Sequence, residues 1–305
     1  MANNVLVTGA HGFIGRHVAR FYAKQGWKVS GMGYGYFPEQ EQQEWGIVEW
    51  HTCDITVETL KKYAGTPDVI IHCAGGSSVG FSLEDPYNDY QCTVNTTLHV
   101  LEFVRLYAPY ARVVYPSSAA VYGLAEKMPI YENSHLNPVS PYGVHKKIAE
   151  ELSQSYAKHF GVAAAIVRLF SVYGDALRKQ LLWDTCKKVS NNEITFWGSG
   201  KETRDWLHVE DAAELLYMAG TQASNICPVV NGGFGSGVTV QEVLQEIFVC
   251  FNRTDTPIFS GVCRPGDPQH YMAEITIAKE WGWEPKIYWR DGVREFVEWF
   301  KKDVS

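Results

Sequence analysis

The run Asn4-Val5-Leu6-Val7-Thr8-Gly9-Ala10-His11-Gly12-Phe13-Ile14-Gly15 decides how the rest of the chain is read. Val5, Leu6 and Val7 form an apolar segment of strand length, and a helical pattern takes over after Gly12 and continues to about Gln25. Between them the glycines are spaced Gly-x-x-Gly-x-x-Gly. Glycine at a strand-to-helix turn lets the backbone fold tightly. It also lets an anion approach the first helical turn, where unpaired N–H groups and the helix dipole favour negative charge. A ligand-free tight turn would use the same residues. Because the glycines fall where a strand–helix unit needs them, they point to the diphosphate of a nucleotide cofactor. Gly9, Gly12 and Gly15 are the candidate cradle, with His11, Phe13 and Ile14 beside them.

Working outward, apolar runs predict strands over 27–32, 47–53, 69–74, 113–115 and 162–169, with helices over 95–107 and 140–159. Strands alternating with helices imply an α/β fold with a doubly wound parallel sheet, whose ligands bind beyond the carboxyl ends of the strands. Ala74, at one such end, joins the cofactor candidates. An NAD-binding unit of this kind carries an acid about 20 residues past the glycines, to hold the adenosine ribose hydroxyls. Here that region reads Gly31-Met32-Gly33-Tyr34-Gly35. The missing carboxylate removes a repulsion against a 2′-phosphate and His11 offers a donor to one, so NADP is favoured over NAD. Asp54 follows the strand 47–53 and is a candidate for an adenine edge, although an Asp there also serves as a turn or helix cap.

Gly76-Ser77-Ser78-Val79-Gly80 matches the Gly-x-Ser-x-Gly of serine hydrolases, with Asp205 and His208 as conceivable partners of Ser78. The glycine loop at the head of the sheet and the lack of a His-Gly-Gly segment set that reading aside. Ser78 remains as a candidate substrate contact. Tyr142 and Lys146 are four residues apart and so share one helix face. A tyrosine hydroxyl titrates near ~10, and an ammonium nearby favours its phenolate. Ser118 ends the run Val113-Val114-Tyr115-Pro116-Ser117-Ser118 just past a strand end. Beyond Ser171 the alternation weakens and loop residues dominate. Arg204 and Arg264 lie on two of those loops and are candidates to fork around a diphosphate. In the last helix, over 291–301, Val293, Phe296, Val297 and Phe300 form a stripe read as core.

Composition limits the partners. The 305 residues carry a net charge of −7 with no dense basic run, so nucleic acid is not an expected partner. Seven cysteines without a Cys-x-x-Cys suit neither a disulfide framework nor a zinc site, and ten histidines without His-Glu-x-x-His give no metal centre. Met1 leads directly into Val5-Leu6-Val7 with no charged leader, and no apolar run approaches ~18 residues, so no membrane partner is expected. A soluble cytoplasmic protein is expected.

Together these segments resemble the extended short-chain dehydrogenase/reductase family of NAD(P)-dependent nucleotide-sugar epimerases, dehydratases and reductases. The resemblance is carried, in order, by Thr8-Gly9-x-x-Gly12-Phe13-Ile14-Gly15, Ser117-Ser118-Ala119-Ala120-Val121-Tyr122-Gly123, Tyr142-x-x-x-Lys146, Arg168-Leu169-Phe170-Ser171-Val172-Tyr173-Gly174, Gly198-x-Gly200-x-x-x-Arg204-Asp205 and Arg264-Pro265-Gly266-Asp267. It implies a Rossmann-type dinucleotide domain over 1–170. A smaller, mainly substrate-binding lobe would cover 171–305, with some segments returning to the first domain. By resemblance, Tyr142 exchanges a proton with a sugar oxygen, Ser118 hydrogen-bonds that oxygen, and Lys146 binds the nicotinamide ribose while lowering the pKa of Tyr142. Asn95 supports the site from the following helix, Arg204 and Arg264 hold the diphosphate of a nucleotide-diphosphate sugar, and a homodimer is expected.

Departures from the family pattern narrow the chemistry. Sugar dehydratases place an acid directly after the Ser/Thr, and here Ala119 and Ala120 stand there. Alanine cannot transfer a proton, so elimination is not expected. Ser171 replaces a common Asn that contacts the substrate. The expected activity is an NAD(P)H-dependent reduction of a nucleotide-linked 4-keto, 6-deoxy sugar at C4. A 4-epimerase with tightly bound NAD is the alternative, and a catalytically silent nucleotide-binding protein is a third reading.

Overall fold

In the computed structural model, which describes residues 3–262 and 270–304, β1 (Asn4–Thr8) lies beside the central strand of a seven-stranded parallel sheet. The others are β2 (Lys28–Gly33), β3 (Glu49–Thr52), β4 (Val69–His72), β5 (Arg112–Ser118), β6 (Ala164–Leu169) and β7 (Val229–Gly232). Their order is β3-β2-β1-β4-β5-β6-β7. Parallel strands buried on both faces read as continuous apolar runs, and the side chains here divide accordingly. Val5, Val7, Val69, Ile71, Ala165 and Val167 face one layer, while Leu6, Ile70, Val113, Ala164 and Ile166 face the other.

The first layer is closed by α1 (Phe13–Lys24), through Val18, Ala19 and Tyr22. The second is closed by α2 (Thr96–Tyr107), through Val100, Leu101 and Val104, and by α3 (Pro141–Phe160), through Ala149 and Ala157. Local chemistry sets the ends of α3. Ser140 Oγ accepts from Gly143 N at 3.2 Å, Pro141 takes the first turn, and Gly161 at φ +71° stops the helix in a conformation that favours glycine. Asn95, expected to begin an α-helix, is instead the last residue of a π-helical segment, Gln91–Asn95, that leads into α2. Such wide turns occur often at functional sites.

After β6 come α4 (Gln180–Ser190), α5 (Val209–Gln222), α6 (Val240–Cys250) and α7 (Trp289–Asp303). Helix α5 returns to the sheet and packs Leu215, Leu216 and Ala219 into the α1 layer. Strand β7 adds to the edge of β6 with Val229 opposite Ile166 and Gly232 opposite Leu169. Helices α4, α6 and α7 surround a separate core that includes Tyr173, Leu182, Ile247, Val293, Phe296, Val297 and Phe300. Asp205, fully buried, ties the loops of this region together by accepting from the backbone N–H of Phe234 (2.5 Å), Gly235 (3.0 Å) and Ala273 (2.9 Å). Among the described residues no helix is long and apolar enough to cross a membrane, and the six described cysteines are free thiols.

Candidate active site

A cleft of about 1390 Å³ opens beyond the carboxyl ends of β1, β4 and β5 and is walled on its far side by α4 and the strand residues near Arg204. A pocket for one small ligand spans roughly 300–1,000 Å³, so this one has room for two nucleotides. On the sheet side the glycine loop is tightly built. Gly9 has φ +70°, its N–H donates to Met32 O at 2.7 Å, and a Cβ on it would come within 2.7 Å of Ala74 N. A Cβ on Gly15 would lie 2.3 Å from Gly9 O. The N-cap of α1 is Gly12, and no side chain caps the helix. Its first-turn N–H groups therefore face the cleft beside Phe13 and Ile14, a donor set that fits a dinucleotide diphosphate.

His11 sits in this loop with its ring packed on Phe37 at 4.4 Å and its carbonyl accepting from Arg16 Nη2 at 2.6 Å. Burial, with Arg16 adding to it, lowers its pKa below the ordinary value near 6.5, which leaves the imidazole neutral at pH 7. Asp54 is exposed and close to Tyr34, whose pKa it raises to about 12 with help from burial. Asn95 donates to Gln91 one turn earlier.

On the opposite side of the cleft floor, Ser118 ends β5 and lines the cleft with Tyr142, while its Oγ accepts from Ala120 N at 3.2 Å. The Tyr142 N–H donates to Ser82 Oγ at 3.0 Å. Lys146 is 7% exposed, and its Nζ donates to Pro116 O at 3.0 Å. The ammonium lies 4.9 Å from the centre of the Tyr115 ring and 5.8 Å from that of Tyr142. Burial pulls the Lys146 pKa down to about 8. Burial raises that of Tyr142, Ser118 opposes the rise, and the charge of Asp89 adds to it. The expectation that Lys146 depresses the Tyr142 pKa therefore needs correcting. Desolvation outweighs everything else at the phenol, and the ammonium is held by a backbone carbonyl.

The other predicted residues are placed as follows. Ser78 lines the cleft and caps the short helix Val79–Glu84 by accepting from Phe81 N at 3.3 Å. Asp205 is engaged by three backbone amides and His208 Nδ1 accepts from Glu210 N, so the hydrolase partners are not assembled around Ser78. Ser171 and Arg204 line the far wall, with Arg204 Nη1 donating to Thr203 O at 3.0 Å. Arg264 lies outside the described residues.

Three arrangements had no signal in the sequence, because each joins distant segments. His145 Nδ1 bonds the buried Asp89 at 2.6 Å. Lys179 Nζ reaches Ser77 Oγ at 2.6 Å. Glu150, one turn after Lys146, receives Arg168 through Nε at 3.0 Å and Nη2 at 2.8 Å. Arg168 also donates to Tyr122 Oη and Glu132 O, and Tyr122 Oη donates to Asn231 Oδ1 on β7.

Residues 5–231 match the model of the NAD dependent epimerase/dehydratase family. A UDP-glucuronate 4-epimerase of Thermodesulfobacterium geofontis is 28% identical, over 98% of this chain and 97% of that protein. The crystal structure of a UDP-glucose 4-epimerase with UDP-glucose from Thermotoga maritima superposes with a TM-score of 0.88. It is 25% identical and covers 99% of this chain and 100% of that one. The structure of MoeE5 in complex with UDP-glucose and NAD gives the same TM-score at 27% identity, with 99% and 100% covered.

Proposed function

The chain belongs to the NAD-dependent epimerase/dehydratase family, and on that premise we propose that it is a nucleotide-sugar 4-epimerase working with a retained NAD. The observation that carries the reading is the convergence on one cleft of Ser118, Tyr142 and the buried Lys146 ammonium, at a strand end that continues into Ala119 and Ala120. A reductase would use the same three side chains. Epimerisation is favoured because two of the relatives named above are 4-epimerases and because the cofactor side of the cleft suits NAD. His11, the donor considered for a 2′-phosphate, is neutral and packed on Phe37, and Arg16 is committed to the His11 carbonyl.

In this reading Tyr142 takes the proton from the sugar's C4 hydroxyl and later returns it, while Ser118 holds that oxygen. Lys146, with its ammonium 5.8 Å from the centre of the phenol ring, would bind the nicotinamide ribose. Bound NAD supplies the hydride acceptor and donor at C4. Gly9, Gly12 and Gly15 admit its diphosphate to the α1 N-terminus, Phe13 and Ile14 flank it, Asp54 meets the adenine edge, Ala74 lines its path and Asn95 supports it. Ser78, Ser171, Arg204 and Arg264 serve the sugar nucleotide. With Ala119 and Ala120 after Ser118, no side chain there can drive elimination. A homodimer in a reducing cytoplasm completes the proposal.

Denaturing the purified protein and identifying the released nucleotide tests the cofactor. Incubation with UDP-glucose or UDP-glucuronate, followed by proton NMR, tests the reaction. The expected result is NAD in near-stoichiometric amount and a C4-epimerised product with no net cofactor consumption. Stoichiometric NADPH oxidation by a 4-keto sugar nucleotide, without epimerisation, would overturn the proposal in favour of the reductase.

A further inference from the structure

The diphosphate of a dinucleotide carries two negative charges, and the segments around its expected path offer little to meet them. Residues 9–15, 33–38 and 73–80 contain no lysine or arginine. Lys146 lies deeper, against Pro116 O and the Tyr115 ring. Arg16, in the first turn of α1, is turned back onto the His11 carbonyl, and a further cation comes from the other side of the cleft. Lys179 immediately precedes α4, and its ammonium crosses to Ser77 on the loop after β4, with both residues lining the cleft. Its neighbour Arg178 is neutralised by a two-pronged pair with Asp303. Lys179 makes no ion pair among the described residues, and its one hydrogen-bond partner there is the Ser77 hydroxyl.

Two anchors fix where this ammonium lies. The carbonyl of Asp175 accepts from His17 Nε2 on α1 at 3.0 Å, so the segment leading to Lys179 runs along the helix whose N-terminus faces the cleft. Ser77 is three residues past Ala74, which abuts Gly9 so closely that a Cβ on the glycine would clash. The backbone on either side of Lys179 is held in an unusual form. Ala176 at φ 67° and Gln180 at φ 69° both occupy the left-handed region, which side-chain-bearing residues keep only where their surroundings impose it.

We propose that Lys179, positioned by Ser77, binds the diphosphate of the dinucleotide from the side opposite the α1 N-terminus, so that cofactor retention depends on a cation supplied across the cleft. The inference rests on the cofactor reading above. It assigns a binding role to a residue outside the glycine loop and makes closure of the cleft part of cofactor affinity. A lysine acts here as a point charge, complementing the backbone N–H groups that supply direction.

The test is binding to protein stripped of nucleotide, by calorimetry, with NAD, ADP-ribose, adenosine and UDP as probes for wild type, Lys179→Met, Lys179→Arg and Ser77→Ala. Lys179→Met is expected to weaken NAD and ADP-ribose by roughly tenfold or more, leaving adenosine and UDP unchanged. Lys179→Arg should restore most of the loss, and wild-type NAD affinity should fall with added salt more steeply than that of Lys179→Met. Equal NAD affinity in Lys179→Met and wild type would overturn this inference alone. A loss confined to UDP would also overturn it, by assigning the lysine to the sugar nucleotide. Failure of the wild type to bind NAD at all would overturn the cofactor reading together with it. Unchanged melting temperatures of the nucleotide-free variants separate these outcomes from misfolding.

Discussion

Two cations are buried against the same helix, and they are treated in opposite ways. Arg168, 3% exposed, is saturated: three contacts to Glu150, one to Tyr122 and one to Glu132 O. Burial works against its charge, but the hydrogen bonds to Glu150 overcome that and hold its pKa above the ordinary arginine value. Lys146, one turn before Glu150 on α3 and 7% exposed, has one backbone carbonyl and two ring faces, and its pKa falls to about 8. Similar burial thus yields a structural cation in one place and an under-partnered one in the other. A charge that must be available to a reacting group cannot already be spent on a carboxylate. The cost of leaving it so is the low pKa.

The contrast is sharpest in the variants expected to do most damage. Tyr142→Phe should lower turnover by about 10²–10⁴-fold, the range for losing a general acid–base group, with nucleotide content retained. Lys146→Met should likewise lose most turnover, yet its thermal melting midpoint should match or exceed wild type, because an ammonium that burial disfavours is replaced by an apolar chain of similar length. A large drop in melting temperature would show that Lys146 is structural after all. Glu150→Ala should do the reverse and cost about 3–5 kcal/mol in urea unfolding by leaving Arg168 buried without its partner.

The pH response separates the same two residues. The Lys146 pKa is near 8 in the folded chain against an ordinary 10.5. Between these values the unfolded chain binds more protons, so the Lys146 contribution to stability should rise from about pH 8 to about pH 10.5, and its penalty should be fully present below pH 8. Turnover should move the other way, falling above about pH 8 as the ammonium is lost. Both are read from unfolding and rate profiles on wild type and Lys146→Met, in which the stability rise should vanish. Arg168 does not titrate in this range. The smallest effect is expected for Arg168→Lys, which keeps the charge but loses the fork and should cost about 1–2 kcal/mol in the same unfolding assay.

What the sequence disclosed and what it withheld follow a physical line. The glycine loop, the strands of the first 170 residues and the shared face of Tyr142 and Lys146 are products of local spacing, and each appears where its period places it. Strand β7 was not legible, since Val229-Val230-Asn231-Gly232 offers only two apolar residues and becomes a strand because β6 presents an edge. Helices α4, α5 and α6 also lay in a region read only as loop-rich. The Glu150–Arg168 pair spans 18 positions and the Ser77–Lys179 bond 102, distances at which one sequence carries no pairing signal. The direction of the Tyr142 shift is illegible for a related reason, since the burial that raises it is a property of the assembled cleft.

The position of β7 also bears on how the chain is made. Strand β6 ends at Leu169, and the strand that covers its edge begins about 60 residues later, at Val229. At a synthesis rate of roughly 5–20 residues per second, the emerging polypeptide waits about 3–12 seconds with six strands in hand and an uncovered row of N–H and C=O groups along the last. During that interval the nascent chain is a template for pairing with its neighbours on the same message. Arrest of translation just before residue 229 should therefore leave ribosome-bound chains with the β6 edge open to pairing, and extension past Gly232 should close that edge.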